Sequence, residues 1–177
     1  MAVGPAAGIH SLNPVDLMPS ILFVCRANKF RSPIAAACFE RALVQSGQSR
    51  EWKVNSAGTW AIPGLRVPSE VARAAWAMDI DLSSHLTQAI VPSRLETYDL
   101  ILVMERGQRE ALLVEFPYLQ NRVQLLSEVV DGIPYDIPDI QALDHTPEEI
   151  ARDLCELIER GFPKICELAS SMSDIQP

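Results

Sequence analysis

No stretch of this 177-residue chain approaches the roughly 20 consecutive apolar residues needed to cross a bilayer, so no membrane span is expected. No basic segment followed by an apolar block opens it, and no secretory signal is read there. Cations are in the minority: 15 Lys and Arg face 23 Asp and Glu, a formal net charge of −8. An acidic chain without a basic stripe is a poor partner for nucleic acid. The four cysteines lack clustered spacing, so neither a disulfide framework nor a zinc site is expected. Their scarcity points to a reducing, cytoplasmic setting. G-x-G-x-x-G and G-x-x-x-x-G-K-[ST] are both missing, which leaves nucleotide binding without support. No internal repeat is found.

What remains is an ordinary globular composition, 48% hydrophobic and 21% charged. It predicts one domain over residues 20–177, behind a flexible leader at 1–19 that has no periodicity. The chain is organised around Ser20 to Pro33. Ile21 to Val24 is an apolar, β-branched run suited to one buried strand. Ser32-Pro33 reads as a helix start, with Ser at the N-cap and Pro at the first helical position. Between them lies Cys25-x5-Arg31-Ser32. A tight loop entering a helix gathers backbone N–H groups and the positive end of the helix dipole, which suits a phosphate-like anion. Arg31 can clamp two oxygens of that anion through its planar fork. The same field favours the thiolate of Cys25, the nucleophilic form. Ser32 is placed to donate a hydrogen bond to the sulfur. This pattern predicts phosphoryl transfer through a cysteinyl-phosphate.

Further along, helices are predicted from Pro33 to about Gln45, over Ser69–Met78 and over Gln108–Phe116, and from Thr146 to about Ser171. Thr146-Pro-Glu-Glu149 is a capping box, and Gly161 and Pro163 are expected to break or kink the last helix. Gly47 is a helix stop. Strands are predicted at Trp52–Asn55, Leu100–Met104 and Val123–Leu126. Cys38, Cys155 and Cys166 fall on apolar helix faces and are read as core. Strands alternating with helices predict an α/β fold, a doubly wound four-stranded parallel sheet with helices on both faces. Cys25 then lies at the carboxyl end of the first strand, where such sheets bind ligands.

Five short motifs occur in order: Val24-Cys-x5-Arg-Ser-Pro33, Asn55-Ser-Ala-Gly-Thr59, Ile80-Asp-Leu-Ser-Ser-His85, Tyr98-Asp-Leu-Ile-Leu-Val-Met104 and Asp136-Ile-Pro-Asp139. Together they resemble the low-molecular-weight protein tyrosine phosphatase family over roughly Ile21 to Ser171. The resemblance implies a flavodoxin-like strand order and hydrolysis of phosphomonoesters, with phosphotyrosine in proteins as substrate. No metal or organic cofactor is implied. The implied partners are a phosphorylated protein, such as a tyrosine kinase or its target, with neither nucleic acid nor membrane. Carried over residue by residue, Cys25 is the nucleophile and Arg31 the clamp. The phosphate loop is Arg26, Ala27, Asn28, Lys29 and Phe30. Asn28, Ser56 and His85 brace it, Ser32 stabilises the thiolate, and Asp139 is the general acid and then the base. Residue chemistry alone leaves Asp136 in competition with Asp139.

The departures from the family pattern define the rivals. Ala27 replaces a glycine, which is a problem if the backbone takes a positive φ there or approaches the anion closely. Phe30 replaces a second loop cysteine. Lys29 replaces an apolar residue, and either favours anionic substrates or projects into solvent. Ile140 and Gln141 replace a proline and an aromatic after the acid. Trp60 then either supplies an aromatic substrate wall or is a partly buried loop residue. A phosphate- or phosphoprotein-binding module with degraded catalysis is the alternative from another class. A protein-arginine phosphatase of the same fold is a second alternative, disfavoured because Lys29 repels a guanidinium. An arsenate reductase would need a pair of further cysteines near residues 80–95, and there are none between Cys38 and Cys155.

Overall fold

The computed structural model describes residues 18–141 and 144–173. Most of the expected leader lies outside the described residues. Its last residue, Pro19, accepts a hydrogen bond from the Lys53 amide and so starts the pairing of the first two strands.

Four strands, β1 (Ser20–Cys25), β2 (Lys53–Gly58), β3 (Leu100–Val103) and β4 (Val123–Leu125), form one sheet in the order β2-β1-β3-β4. Every pairing is parallel. This is the expected doubly wound, flavodoxin-like arrangement. Central strands buried on both faces should read as continuous apolar runs, and β1 and β3 do. Their alternation sorts the core into two layers. Ile21, Phe23, Leu100, Leu102 and Met104 pack on one side, with α1 (Arg31–Gln45), α2 (Ser69–Trp76), α5 (Leu126–Asp131) and α6 (Pro147–Ser173). Leu22, Val24, Ile101 and Val103 pack on the other side, with α3 (Pro92–Leu95), α4 (Arg106–Glu115) and a 3-10 turn at Pro117–Leu119.

Several local expectations are corrected. Ser32 does not cap α1, because the helix already begins at Arg31 and the Ser32 hydroxyl is engaged elsewhere. β2 runs on through Asn55-Ser-Ala-Gly58, because the register with β1 continues to the pair Cys25–Gly58. α2 ends at Trp76, two residues early. Leu126 starts a helix rather than ending a strand, since a short apolar run does not distinguish the two. α6 is one continuous helix through Gly161 and Pro163. Pro163 forfeits one backbone bond, but the buried face of α6 packs along α1, α2 and α5 and holds the helix together. Gly161 is a packing residue: a Cβ there would fall 2.3 Å from the Val130 Cγ2. Gly47 ends α1 as expected, with φ of 76°, and the Thr146–Glu149 capping box forms in both directions.

Cys38 on α1 and Cys155 on α6 form a disulfide across 117 residues. Both cysteines are buried in the core as expected, but they are also paired, which the sequence reading did not anticipate. Spacing in sequence could not show the pair, because only the packing of α6 on α1 brings the two together. Cys166 is free and half-buried, and burial pushes its thiol up to about 11. Among the described residues no helix is long and apolar enough to cross a membrane.

Candidate active site

The site is built at the carboxyl end of β1. Cys25 ends the strand and is 3% exposed. The turn that follows is tight because Asn28 takes the left-handed conformation, with φ of 53°. Asparagine tolerates that region better than most residues. Ala27 is not among the residues with positive φ, so its methyl group meets no backbone obstacle of that kind.

Asn28 is completely buried and uses every polar atom of its side chain. Its Nδ2 donates to Ser32 Oγ and to Ser56 Oγ, each at 2.9 Å. Its Oδ1 accepts the Gln88 amide at 2.8 Å. Its carbonyl oxygen lies 2.9 Å from His85 Nε2. A carbonyl only accepts, so Nε2 carries the proton of that bond. Ser32 Oγ sits 3.0 Å from Cys25 Sγ and 3.2 Å from the Ala57 carbonyl, so its one proton has two acceptors in reach. Gly58 belongs to the same construction. A Cβ there would meet the Arg26 carbonyl at 2.7 Å and the Asn28 nitrogen at 2.8 Å, so only glycine lets β2 approach the loop. Thr59 and Trp60 close the approach by donating their amides to the Cys25 and Arg26 carbonyls.

Arg31 is a nearly fully buried cation, 1% exposed. Its Nη1 donates to the Ile137 carbonyl at 2.8 Å and pairs with Glu105 at 2.6 Å. Its Nη2 pairs with Asp139 Oδ2 at 2.7 Å. Its Nε is buried without a protein partner. A buried donor left unpaired is costly, and an incoming anion would satisfy this one.

The two candidate acids separate cleanly. Asp136 accepts from both the amide and the side chain of Arg106 at the start of α4. The Arg106 side-chain hydrogen bond, with the amide bond next, holds its carboxyl below the usual range. Asp139 instead lines a cavity of about 460 Å³ together with Cys25, Arg26, Ala27, Lys29 and Phe30. The rest of that cavity is Pro68, Glu70, Val71, Ile140 and Gln141. Trp60 is 80% exposed, so it is not a partly buried loop residue, and it is not among the residues that line this cavity. No group of three or more His, Cys, Asp or Glu side chains among the described residues is arranged to hold a metal ion.

Sequence reasoning missed Glu105, Ile137, Gln88, Pro68 and Val71. For Glu105 one signal existed: Gln108 three residues later, with which it forms a capping box at the start of α4. Its pairing with Arg31 left no trace in the sequence.

A parallel sheet of this order, with a cysteine, a tight turn and a buried arginine at the end of its first strand, is the architecture of a cysteine-dependent phosphatase. The family model described as low molecular weight phosphotyrosine protein phosphatase matches residues 20–173, and the chain belongs to that family. It is 32% identical over 145 residues to a probable low molecular weight protein-tyrosine-phosphatase of Ralstonia nicotianae, covering 82% of this chain and 92% of the relative. It is 29% identical over 119 residues to a protein-arginine-phosphatase of Bacillus subtilis, covering 67% and 77%. Its structure resembles the tyrosine phosphatase Wzb of Escherichia coli K30 solved with sulphate, with a TM-score of 0.68 and 26% identity over 85% of this chain and 97% of that one.

Proposed function

We propose that this member of the family hydrolyses phosphotyrosine in proteins, with Cys25, Arg31 and Asp139 as its working groups. The observation that carries the reading is the meeting of the three. Cys25 and Asp139 line one cavity, and Arg31 pairs with that same aspartate. In the first step the Cys25 thiolate attacks phosphorus. The S–P bond forms, the P–O bond to the tyrosine breaks, and Asp139 gives its proton to the departing oxygen. In the second step Asp139 takes a proton from water, the water oxygen bonds phosphorus, and the S–P bond breaks. The loop from Arg26 to Phe30 and Arg31 neutralise the equatorial oxygens throughout. Ser32 turns its proton from Ala57 toward the thiolate. Asn28, Ser56 and His85 hold the turn.

Pro68, Val71 and Ile140, rather than Trp60, form the apolar wall for the substrate ring. Lys29 in the same lining disfavours the guanidinium of phosphoarginine and favours the tyrosine ester. The phosphorylated partner is then a tyrosine kinase or one of its targets. Hydrolysis of p-nitrophenyl phosphate, phosphotyrosine peptide and phosphoarginine tests the reading. Vanadate-sensitive turnover of the first two, lost in Cys25→Ala, is expected. Oxyanion binding without turnover would establish a binding module instead, and faster phosphoarginine hydrolysis would move the substrate class.

A further inference from the structure

Arg31 carries two carboxylates, and they are not equivalent. In a guanidinium, Nε and Nη2 share one edge of the fork and Nη1 stands at the far end. Glu105 and the Ile137 carbonyl both hold Nη1. Asp139 holds Nη2, beside the unpaired Nε. An anion that takes the Nε–Nη2 edge bidentately brings its negative charge to the nitrogen that Asp139 holds and leaves Nη1 to Glu105.

Glu105 is itself firmly seated. It is the N-cap of α4, and its side chain accepts the Gln108 amide. The buried Gln108 returns its Oε1 to the amides of Met104 and Glu105. Glu105 does not line the cavity that holds Cys25. We propose that Glu105 is the positioning residue of the phosphate clamp: it locks the far end of Arg31 to the β3–α4 junction. Asp139 is the exchangeable carboxylate, which the phosphate displaces from Nη2 and so frees for the leaving group. This rests on the phosphatase reading above.

The two roles predict opposite signs where simple electrostatics predicts one. Removing either negative charge should tighten anion binding if charge alone matters. Positioning requires that Asp139→Asn binds vanadate more tightly, because its competitor for Nη2 is weakened. It also requires that Glu105→Ser binds vanadate at least about tenfold more weakly, because a misplaced clamp loses its geometry. Serine keeps a good N-cap at α4 but cannot reach Arg31. Glu105→Gln, which keeps a long acceptor for Nη1, should recover most of the affinity and kcat, while a purely structural lesion would not be rescued in this way. Vanadate inhibition of wild type and the three variants, with melting temperatures alongside, reads this out. Tighter or unchanged vanadate binding in a folded Glu105→Ser overturns the proposal. So does a Glu105→Gln variant no better than Ser. Wild type without vanadate-sensitive hydrolysis would instead overturn the phosphatase reading itself.

Discussion

Two loops meet over Cys25, and they are held in different ways. The loop from Cys25 to Arg31 is anchored by buried residues, with Asn28 0% and Arg31 1% exposed and Ser32 fully buried just beyond, while Arg26 reaches solvent. Its hydrogen bonds reach β2, the 85–88 segment and the acid loop, so the turn is fixed from several sides. The loop from Tyr135 to Gln141 is largely exposed and hangs on a few contacts. Ser127 Oγ donates to the Tyr135 carbonyl and accepts its amide, Arg106 holds Asp136, and the Ile137 amide donates to Met104. The contrast shows where this fold commits order in advance. The residues proposed to cradle charge are anchored in the core, and the proposed acid, Asp139, sits on a more exposed segment.

The comparison is broken most severely at the buried loop. Cys25→Ala should lower kcat for p-nitrophenyl phosphate by on the order of 10⁴-fold or more, since it removes the atom on which the proposed covalent intermediate forms. The exposed loop should respond less and selectively. Asp139→Asn should lower kcat by about 10²–10⁴-fold, the usual worth of a general acid. Asp136→Asn should change kcat little, because that carboxylate serves Arg106. Equal losses in the two would mean that the loop, rather than Asp139, carries the effect.

On the stability side, Gly58→Ala should destabilise by about 1–3 kcal/mol in thermal melts, because the new Cβ meets stiff backbone of the buried loop. An unchanged melting temperature would show that this loop is less rigid than argued. The smallest effect is expected at Tyr135. Burial, with the hydrogen bond to Asp131 next, pushes its hydroxyl up to about 12. The folded state therefore holds that proton more tightly than the unfolded chain, whose tyrosines titrate near 10 as a rough reference. Its contribution is complete below about 10 and fades as pH rises through the folded value. Melting temperature against alkaline pH should show that decline in wild type and lose it in Tyr135→Phe.

Much of this was legible from residues. Strong apolar runs marked β1 and β3. Cys25, Arg31 and Ser32 declared the loop by spacing, and Thr146 announced α6. The rest depends on tertiary packing. The extent of β2 is set by register with β1 rather than by its own alternation. Pro163 is carried inside α6 by a buried face that local propensity does not see. Cys38 and Cys155 meet only after two helices dock. Asp136 and Asp139 look alike in sequence and part company through their arginines: an exposed Arg106 for one, the buried Arg31 for the other. Glu105 shows the same limit, since its partner lies 74 residues away by number and one side chain away in space.

The central claim is that catalysis passes through phosphorus bonded to Cys25. The most direct measurement is the intact mass of enzyme quenched in acid during turnover of p-nitrophenyl phosphate, for wild type and Asp139→Asn, with the modified peptide located. The account predicts one added phosphoryl group on the peptide carrying Cys25, and none there in Cys25→Ala. Steady turnover with unmodified protein, or undiminished turnover by Cys25→Ala, would contradict it.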